Sequence, residues 1–482
     1  MLNKNALLFF LIFTFVNINI FTQEFGFGFN DEADSLSGMG TGFTPSVLIS
    51  GDVSAAIVGY LGEMSDGADK IDTREMFNFS GRLNFLSRSS FAEGVINLKL
   101  VPALVPVSID EAYIRAFFGN LDFTAGLRKL TWGRADQMGP LDIINLPDTS
   151  RIFTEMADNN NLNGIKIAVP VIHTSYRFGQ FSKIEVVFLP SFEITSMAVT
   201  TAVSPPDPLM AAVIGIGSAE RWMPAQMNEL SGLINLFLNT NPGKSISDVI
   251  PDTSGLDYAQ AGLRFTTTIG SADIGVQYFY GRMFQPAVRV DFDFVSNPPI
   301  PEIKSVKLIF NDYHQIGIDY AQVLFGFNVR AEVAANITED LNGDDGYIYN
   351  PSIGWSFGFD RDIIAGININ LQANGNVRLL NDKVGSNDFF SANFDNEGGR
   401  SMTSTRLTAM LSKKFLRDEL ELRAAVVWGI EDEDAAVIPA LIWTRDDLRL
   451  ALSGGFFLGN SDGQLGQYNN NNFLKISIAY TF

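Results

Sequence analysis

The chain has no cysteine. A disulfide scaffold, a thiolate metal site, a cysteine nucleophile and a lipid anchor on an N-terminal cysteine are all excluded. Histidine is nearly absent too. His173 and His314 stand far apart without ligand spacing, so neither a metal site nor a histidine base is expected. Each reads as a turn or lumen residue. The G-x-S-x-G elbow and a full dinucleotide fingerprint are also missing. Gly243-Lys244-Ser245 copies the end of a phosphate loop, but Leu238 stands where the earlier glycine belongs. No catalytic residue and no cofactor are therefore expected. Basic residues are few: 34 Lys and Arg face 54 Asp and Glu, a net charge of −20. A phosphate backbone demands the opposite sign, so nucleic acid is not an expected partner. After residue 20 no apolar run is long enough for a membrane helix.

What is present is alternation. The N-terminus reads first as a cleaved export signal over 1–23: Lys4, then an apolar core from Ala6 to Val16, ended by Asn17, Asn19 and Gln23. A periplasmic segment, 24–45, is expected to follow. From about residue 46 to the end, short runs place apolar residues on one face and polar residues on the other. In Ile367–Arg378 one face holds Ile367, Ile369, Leu371 and Ala373. The other holds Asn368, Asn370, Gln372, Asn374, Asn376 and Arg378. So long and amide-rich a polar face suits a watered interior. Residues 74–86, 91–101, 110–119, 324–336 and 418–430 repeat the pattern.

The expected strands are 46–60, 74–86, 91–101, 110–119, 121–132, 161–169, 182–190, 257–269, 272–282, 311–322, 324–336, 350–360, 362–377, 402–415, 418–430, 434–444, 447–458 and 472–482. Their connections alternate short and long, except for an overlong short turn at 170–181 and an overshort loop at 431–433. The expected fold is all-β: a transmembrane antiparallel up-and-down β-barrel of about 18 strands, within roughly 16–20, over 46–482. A closed barrel leaves no strand edge unpaired. Outer-membrane lipid is then the surrounding partner. The last strand ends Ile476, Ile478, Tyr480 and Phe482 on one face. That is the form of an assembly signal read by barrel-assembly machinery, with Tyr480 and Phe482 as its residues. Tyr60, Trp132, Tyr280, Trp355, Trp428 and Trp443 fit aromatic girdles.

The inner face leans basic, with acids collected in the long loops. Arg82, Lys99, Arg115, Arg128, Arg330, Arg378 and Arg423 are expected to line it, along with Lys166, Arg264, Arg406, Arg449 and Lys475. The third long loop, 133–160, mixes apolar anchors (Ile143, Ile144, Leu146, Ile152, Phe153) with Arg134, Asp136, Asp142, Asp148 and Arg151. A loop folded into the barrel would bury the anchors and leave the charges at a constriction. A loop packed over the rim is the alternative. The insertion 191–256 reads partly helical over Ala219–Thr240, as a cap, a plug or a surface element. Asp340-Leu-Asn342-Gly-Asp344-Asp345 imitates a calcium loop, but its glycine is displaced by one place; no metal is assigned.

One stretch carries a resemblance. Asp110-Glu-Ala-Tyr-Ile-Arg115, Ala125-Gly-Leu-Arg-Lys129, Trp132-Gly133-Arg134-Ala135-Asp136, Ile144-Asn145 and Pro147-Asp148 resemble an uncharacterised group of porin-like outer-membrane barrels. They are also similar in style to alginate-export barrels. The pattern departs at Asn145-Leu146-Pro147-Asp148, where one residue separates Asn from Pro. The resemblance implies a barrel whose loop takes part in the pore, and supplies no substrate.

Pattern and resemblance together point to a bacterial outer-membrane channel for passive diffusion of small polar solutes, with a basic-leaning wall that would favour anions among them. The competing readings are a surface structural protein or adhesin on a plugged barrel, and a barrel enzyme, against which the shortage of histidine argues. A homo-oligomer would bury outward apolar surface. Every outward face is already apolar, so the sequence does not distinguish one.

Overall fold

The computed structural model describes residues 47–61, 77–100, 107–136, 139–145, 166–193, 225–295, 300–383, 391–392 and 402–482. The export signal, the 24–45 segment, the 61–73 acidic loop beyond residue 61, Asp148, Arg151, Ile152 and Phe153 lie outside them.

Backbone hydrogen bonding makes one closed, antiparallel 18-stranded sheet. Its first nine strands are β1 (Val47–Tyr60), β2 (Phe77–Arg88), β3 (Ala92–Leu100), β4 (Ser108–Phe118), β5 (Leu121–Arg128), β6 (Val169–Phe178), β7 (Ser182–Leu189), β8 (Gln260–Ile269) and β9 (Ala272–Arg282). A hairpin of β10 (Ala287–Val295) and β11 (Ile300–Ile309) stands outside the barrel. The wall resumes with β12 (Asp312–Leu324), β13 (Phe327–Thr338), β14 (Ser352–Asp362) and β15 (Ile367–Arg378). The two-residue β16 (Ser391–Ala392) joins the hairpin. Strands β17 (Thr403–Phe415), β18 (Leu420–Gly429), β19 (Asp434–Arg445), β20 (Leu448–Gly459) and β21 (Phe473–Thr481) complete the ring. β21 pairs with β20 on one side and β1 on the other. Beyond it, Gly51 and Phe482 exchange both backbone hydrogen bonds at 2.9 Å, which extends the seam to the last residue.

Each strand obeys the two-residue period. On β12, His314, Ile316 and Ile318 are exposed outward, while Tyr313, Gln315 and Asp319 are buried inward. On β21, Leu474, Ile476 and Ile478 are outward against Lys475 and Ser477. The outer surface is thus apolar and the inner one rich in amides, hydroxyls and charges. Short turns gather at one end. Among the two-residue ones, Phe325-Gly326 has positive φ at both positions (54° and 81°), the backbone twist of a type I′ hairpin.

Four expectations need correction. The sixth strand is 169–178, not 161–169, so the overlong turn at 170–181 shrinks to the bend between β6 and β7. The long connection expected between the strands at 272–282 and 311–322 carries two further strands, β10 and β11, paired as a hairpin. His314 is neither a turn nor a lumen residue. It stands on the outer face, its ring against Tyr278 and Tyr280. Trp132 and Tyr60 are not in a girdle: Trp132 is buried against Phe279, and Tyr60 packs inside on Phe473.

The insertion after β7 contains helix α1 (Ala225–Thr240). Ile234 and Phe237 pack with Phe192, Val249 and the apolar face of the hairpin, Val288, Val290, Val306 and Leu308. The Asn241 amide donates to the Ile303 carbonyl (3.1 Å), and Leu308 N–H to the Val249 carbonyl (2.9 Å). This long-loop end therefore carries a small helix-on-sheet unit with its own core. At the acidic tip, the Asp340 carboxylate accepts backbone N–H groups from Asn342, Gly343 and Asp345 at 2.8–3.1 Å. Among the described residues no cluster of three metal-ligating side chains occurs.

Candidate functional site: the inner wall and its infolded loops

An inner wall in contact with water should be polar throughout. Among the apolar clusters that break that rule in the described residues, two are roofed by loops. The first is formed by Val169 and Val171 of β6, Val187 and Leu189 of β7, Phe279 of β9 and Tyr313 of β12. Left open it would expose a contiguous apolar surface to a wet lumen. It is covered by the segment after β5, whose Leu130, Trp132 and Ile144 complete the cluster. The chain therefore turns inward where β5 ends and runs along the wall.

Polar contacts fix the base of this loop. Asn145 is buried; its Oδ1 accepts from Leu130 N–H (2.6 Å), and its Nδ2 donates to the carbonyls of Arg128 (3.1 Å) and Ile167 (2.8 Å). Lys166 pairs with Asp142 (2.6 Å) and donates to the Thr131 hydroxyl (2.7 Å).

Farther in, the loop rests on a buried carboxylate. Glu332 of β13, only 2% exposed, accepts from the backbone N–H groups of Arg134 and Ala135 with Oε1, and of Leu141 with Oε2 (3.4 Å). Glycines permit the approach. A Cβ on Gly133 would sit 2.5 Å from Glu332 Oε1, and one on Gly139 2.2 Å from Oε2. The Leu141 side chain, fully buried, fills the notch left by Gly317, and Pro140 lies against Gly354. Gln277 and Gln315 donate to the carbonyls of Leu141 (3.1 Å) and Pro140 (3.0 Å).

The loop charges meet wall charges. Arg134 Nε donates to Asp319 (2.7 Å), and its NH1 lies 3.3 Å from Asp273. Asp319 is wholly buried and also pairs with Arg264 (2.6 Å). Asp136 pairs with Arg330 and accepts from Asn370 of β15 (2.9 Å). Arg330 reaches Asp360 as well (2.6 Å). From β5 to β15 is eight steps round an 18-strand ring, so the loop reaches almost the opposite side.

The other expected lining residues stay on the wall. Arg82 pairs with Asp52 (2.7 Å). Lys99 and Lys129 share Asp110 (2.8 and 2.7 Å). Arg115 meets Asp122 (2.8 Å) and Glu93 (3.6 Å). Arg378 bonds Asn381 (3.3 Å), and Arg423 lies 3.9 Å from Glu421. Among the described residues Arg128 is held by the Thr124 hydroxyl (3.2 Å) and the Tyr113 ring (4.8 Å). The structure thus brings Arg134, Asp136 and Arg330 together, and Asp142 with Lys166. The remaining expected residues among those described are spread round the ring.

The second apolar patch lies across the barrel: Val58 of β1, Ala425 of β18, Ala436 and Ile438 of β19, Phe457 of β20 and Phe473 of β21. Leu465 and Tyr468 cover it, from the connection between β20 and β21. A wall carboxylate holds this loop too. Asp434, 1% exposed, accepts from the backbone N–H groups of Leu465 (2.6 Å) and Gly466 (3.1 Å). Sequence reasoning missed Glu332, Asp319 and Asp434 as site residues. It also missed the infolding of 459–471. The available signal was β19, which is apolar on both faces although one of them points inward.

No protein-family model matches the chain, and no curated protein matches it in sequence. Solved structures do. The outer membrane channel DcaP of Acinetobacter baumannii is similar with a TM-score of 0.39 and 10% identity, over 91% of this chain and 97% of that one. A BenF-like porin from Pseudomonas fluorescens Pf-5 gives 0.47 and 8%, over 90% and 98%. OpdL of Pseudomonas aeruginosa gives 0.46 and 8%, over 91% and 98%. Likeness at this level concerns the barrel architecture alone.

Proposed function

We propose that this protein is a porin-like channel of the bacterial outer membrane, through which small polar solutes diffuse down their gradients. One observation carries the reading. A polar-lined, apolar-coated cylinder is crossed by a loop that is built into its wall by a buried carboxylate. An apolar exterior of this kind is stable only against lipid. A loop so anchored narrows the lumen at a fixed place without closing the sheet.

No bond is made or broken. Selectivity comes from side chains at the neck, where opposed charges act through little water. Arg134, Asp136 and Arg330 are the central group, with Asp142 at the loop base. Arg82, Lys99, Arg115, Arg128, Arg378 and Arg423 line the approach, and Asp148 and Arg151 extend the same loop. Most of these cations are neutralised by acids within 4 Å, so the anion preference is modest. Arg128, which no carboxylate among the described residues holds within 4 Å, supports its sign. Lipid surrounds the barrel, and Tyr480 and Phe482 are the residues read during assembly.

Reversal potentials in a salt gradient across a planar bilayer test the reading. Weak anion selectivity is expected, and clear cation selectivity rejects that preference. A reconstituted barrel that neither conducts nor lets liposomes swell rejects the channel itself. It would favour a second reading, supported by the separately folded α1–hairpin unit: a surface structural protein or adhesin on a plugged barrel.

A further inference from the structure

We infer that the loop over residues 460–472 is a second constriction element, facing the loop after β5, and that Arg406 beside it is a solute-contacting, specificity-determining cation. The inference rests on the channel reading and deepens it.

The loop after β5 packs on β6 to β15. The 460–472 loop packs on β18 to β21 and β1. Between these two covered arcs, among the described residues, neither loop's apolar roof reaches β2 to β4 on one side, and on the other β17 borders the second arc, its Met410 packed against that patch. Both covered arcs have the same construction. An apolar patch on an inner face that is otherwise polar is roofed by two or three loop side chains. A buried wall carboxylate then satisfies backbone N–H groups that would otherwise be orphaned. Glycines allow close approach in each: Gly133 and Gly139 at Glu332, and Gly429 and Gly463 at Asp434, whose Cβ atoms would fall 2.3 and 2.5 Å from Asp434 oxygens. Free-standing surface loops need neither device. The passage is therefore bounded on two sides, and a solute entering from the long-loop end meets both.

Arg406 stands on β17, at the border of the second arc. It shares the inward face of β17 with the buried Thr408 and lies opposite Asn374 of β15 and Gly429 of β18. Neither of these directly opposed residues is an acid, and the space over Gly429 is filled by Asp434 and Asp432. Arg406 acts electrostatically on Asp432 and on Tyr468 of the second loop. Among the described residues no ion pair within 4 Å involves it, in contrast to Arg82, Lys99, Arg115, Arg134 and Arg330. A guanidinium with uncommitted donors on an inner wall is fitted to a carboxylate or phosphate group in transit.

The test uses the full chain in planar bilayers with potassium chloride and then potassium acetate. Arg406→Gln should lower the anion-to-cation permeability ratio by about twofold, the size expected of one unit charge several ångströms from a passing ion in watery surroundings. Arg406→Lys should keep the ratio. Arg445→Gln, at a short turn, should leave it unchanged. Because the chain lacks cysteine, Asn469→Cys gives a single attachment point on the second loop. A bulky thiol reagent there should cut single-channel conductance, and reduction should restore it. An unchanged ratio in Arg406→Gln overturns the role of Arg406. Unchanged conductance after modification overturns the second constriction. Both results leave the channel reading standing, whereas a wild-type protein that does not conduct defeats that reading instead.

Discussion

Glu332→Gln is the most informative substitution, because it changes one atom's chemistry at the contact that seats the loop. The carboxylate accepts three backbone N–H groups from Arg134, Ala135 and Leu141. Hydrogen bonds to a charged acceptor contribute about 1.5–3 kcal/mol each. Glutamine keeps one oxygen and turns the other into an NH2, which meets a backbone donor with a donor. Roughly one charged bond is lost and another weakened, so docking should weaken by about 3 kcal/mol. That raises the undocked fraction about a hundredfold. The strand ladder on both sides of β13 is untouched, so the folded barrel should keep its resistance to detergent at room temperature. Single-channel recording should then show a larger mean conductance with added flicker between levels. If Glu332→Gln folds and conducts as quietly as the parent, the carboxylate does not hold the loop. If the barrel itself fails to form, Glu332 belongs to the wall's stability rather than to the passage.

Gly317→Val places a side chain where a Cβ already comes 2.1 Å from Leu141; an overpacking cost of about 1–3 kcal/mol should unseat the loop and raise conductance without loss of the barrel. Deleting Phe482 removes the two bonds to Gly51, so refolding in detergent should be little changed while the amount assembled in cells drops sharply. Equal losses in both assays would remove its role as a signal. Deleting 200–250 takes away α1, the partner of the β10–β11 apolar face. Higher conductance supports a cap over the mouth, and unchanged conductance rejects a plug.

The strand count was legible because lipid and water impose opposite demands on alternate side chains. Ile367–Arg378 shows both faces plainly, and β15 occupies that stretch. The reading slipped at β6 for a physical reason. Val169 and Val171 point inward yet are apolar, because the loop after β5 covers them, so the first half of the strand lacked a polar face. Strand β19 hid a similar message in Ala436 and Ile438. The ion pairs Arg82–Asp52 and Arg115–Asp122 sit on neighbouring strands, and their inward placement followed from the period. Asp136 with Asn370, by contrast, joins positions 234 residues apart. No local pattern announces that contact. Glu332 looked like one more wall acid, since its three donors come from backbone groups and leave no trace in side-chain identity.

The reach of the β5 loop to β15 has a consequence for biogenesis. Its final contacts involve residues that emerge from synthesis long after the loop itself, and joining distant parts of a chain carries an entropic cost that delays them. Until those later strands are stitched in, Glu332, Asp319 and Arg134 lack their mutual partners. The loop therefore gains its full seat only once β15 has joined the wall, with β17 to β21 still to follow it in chain order.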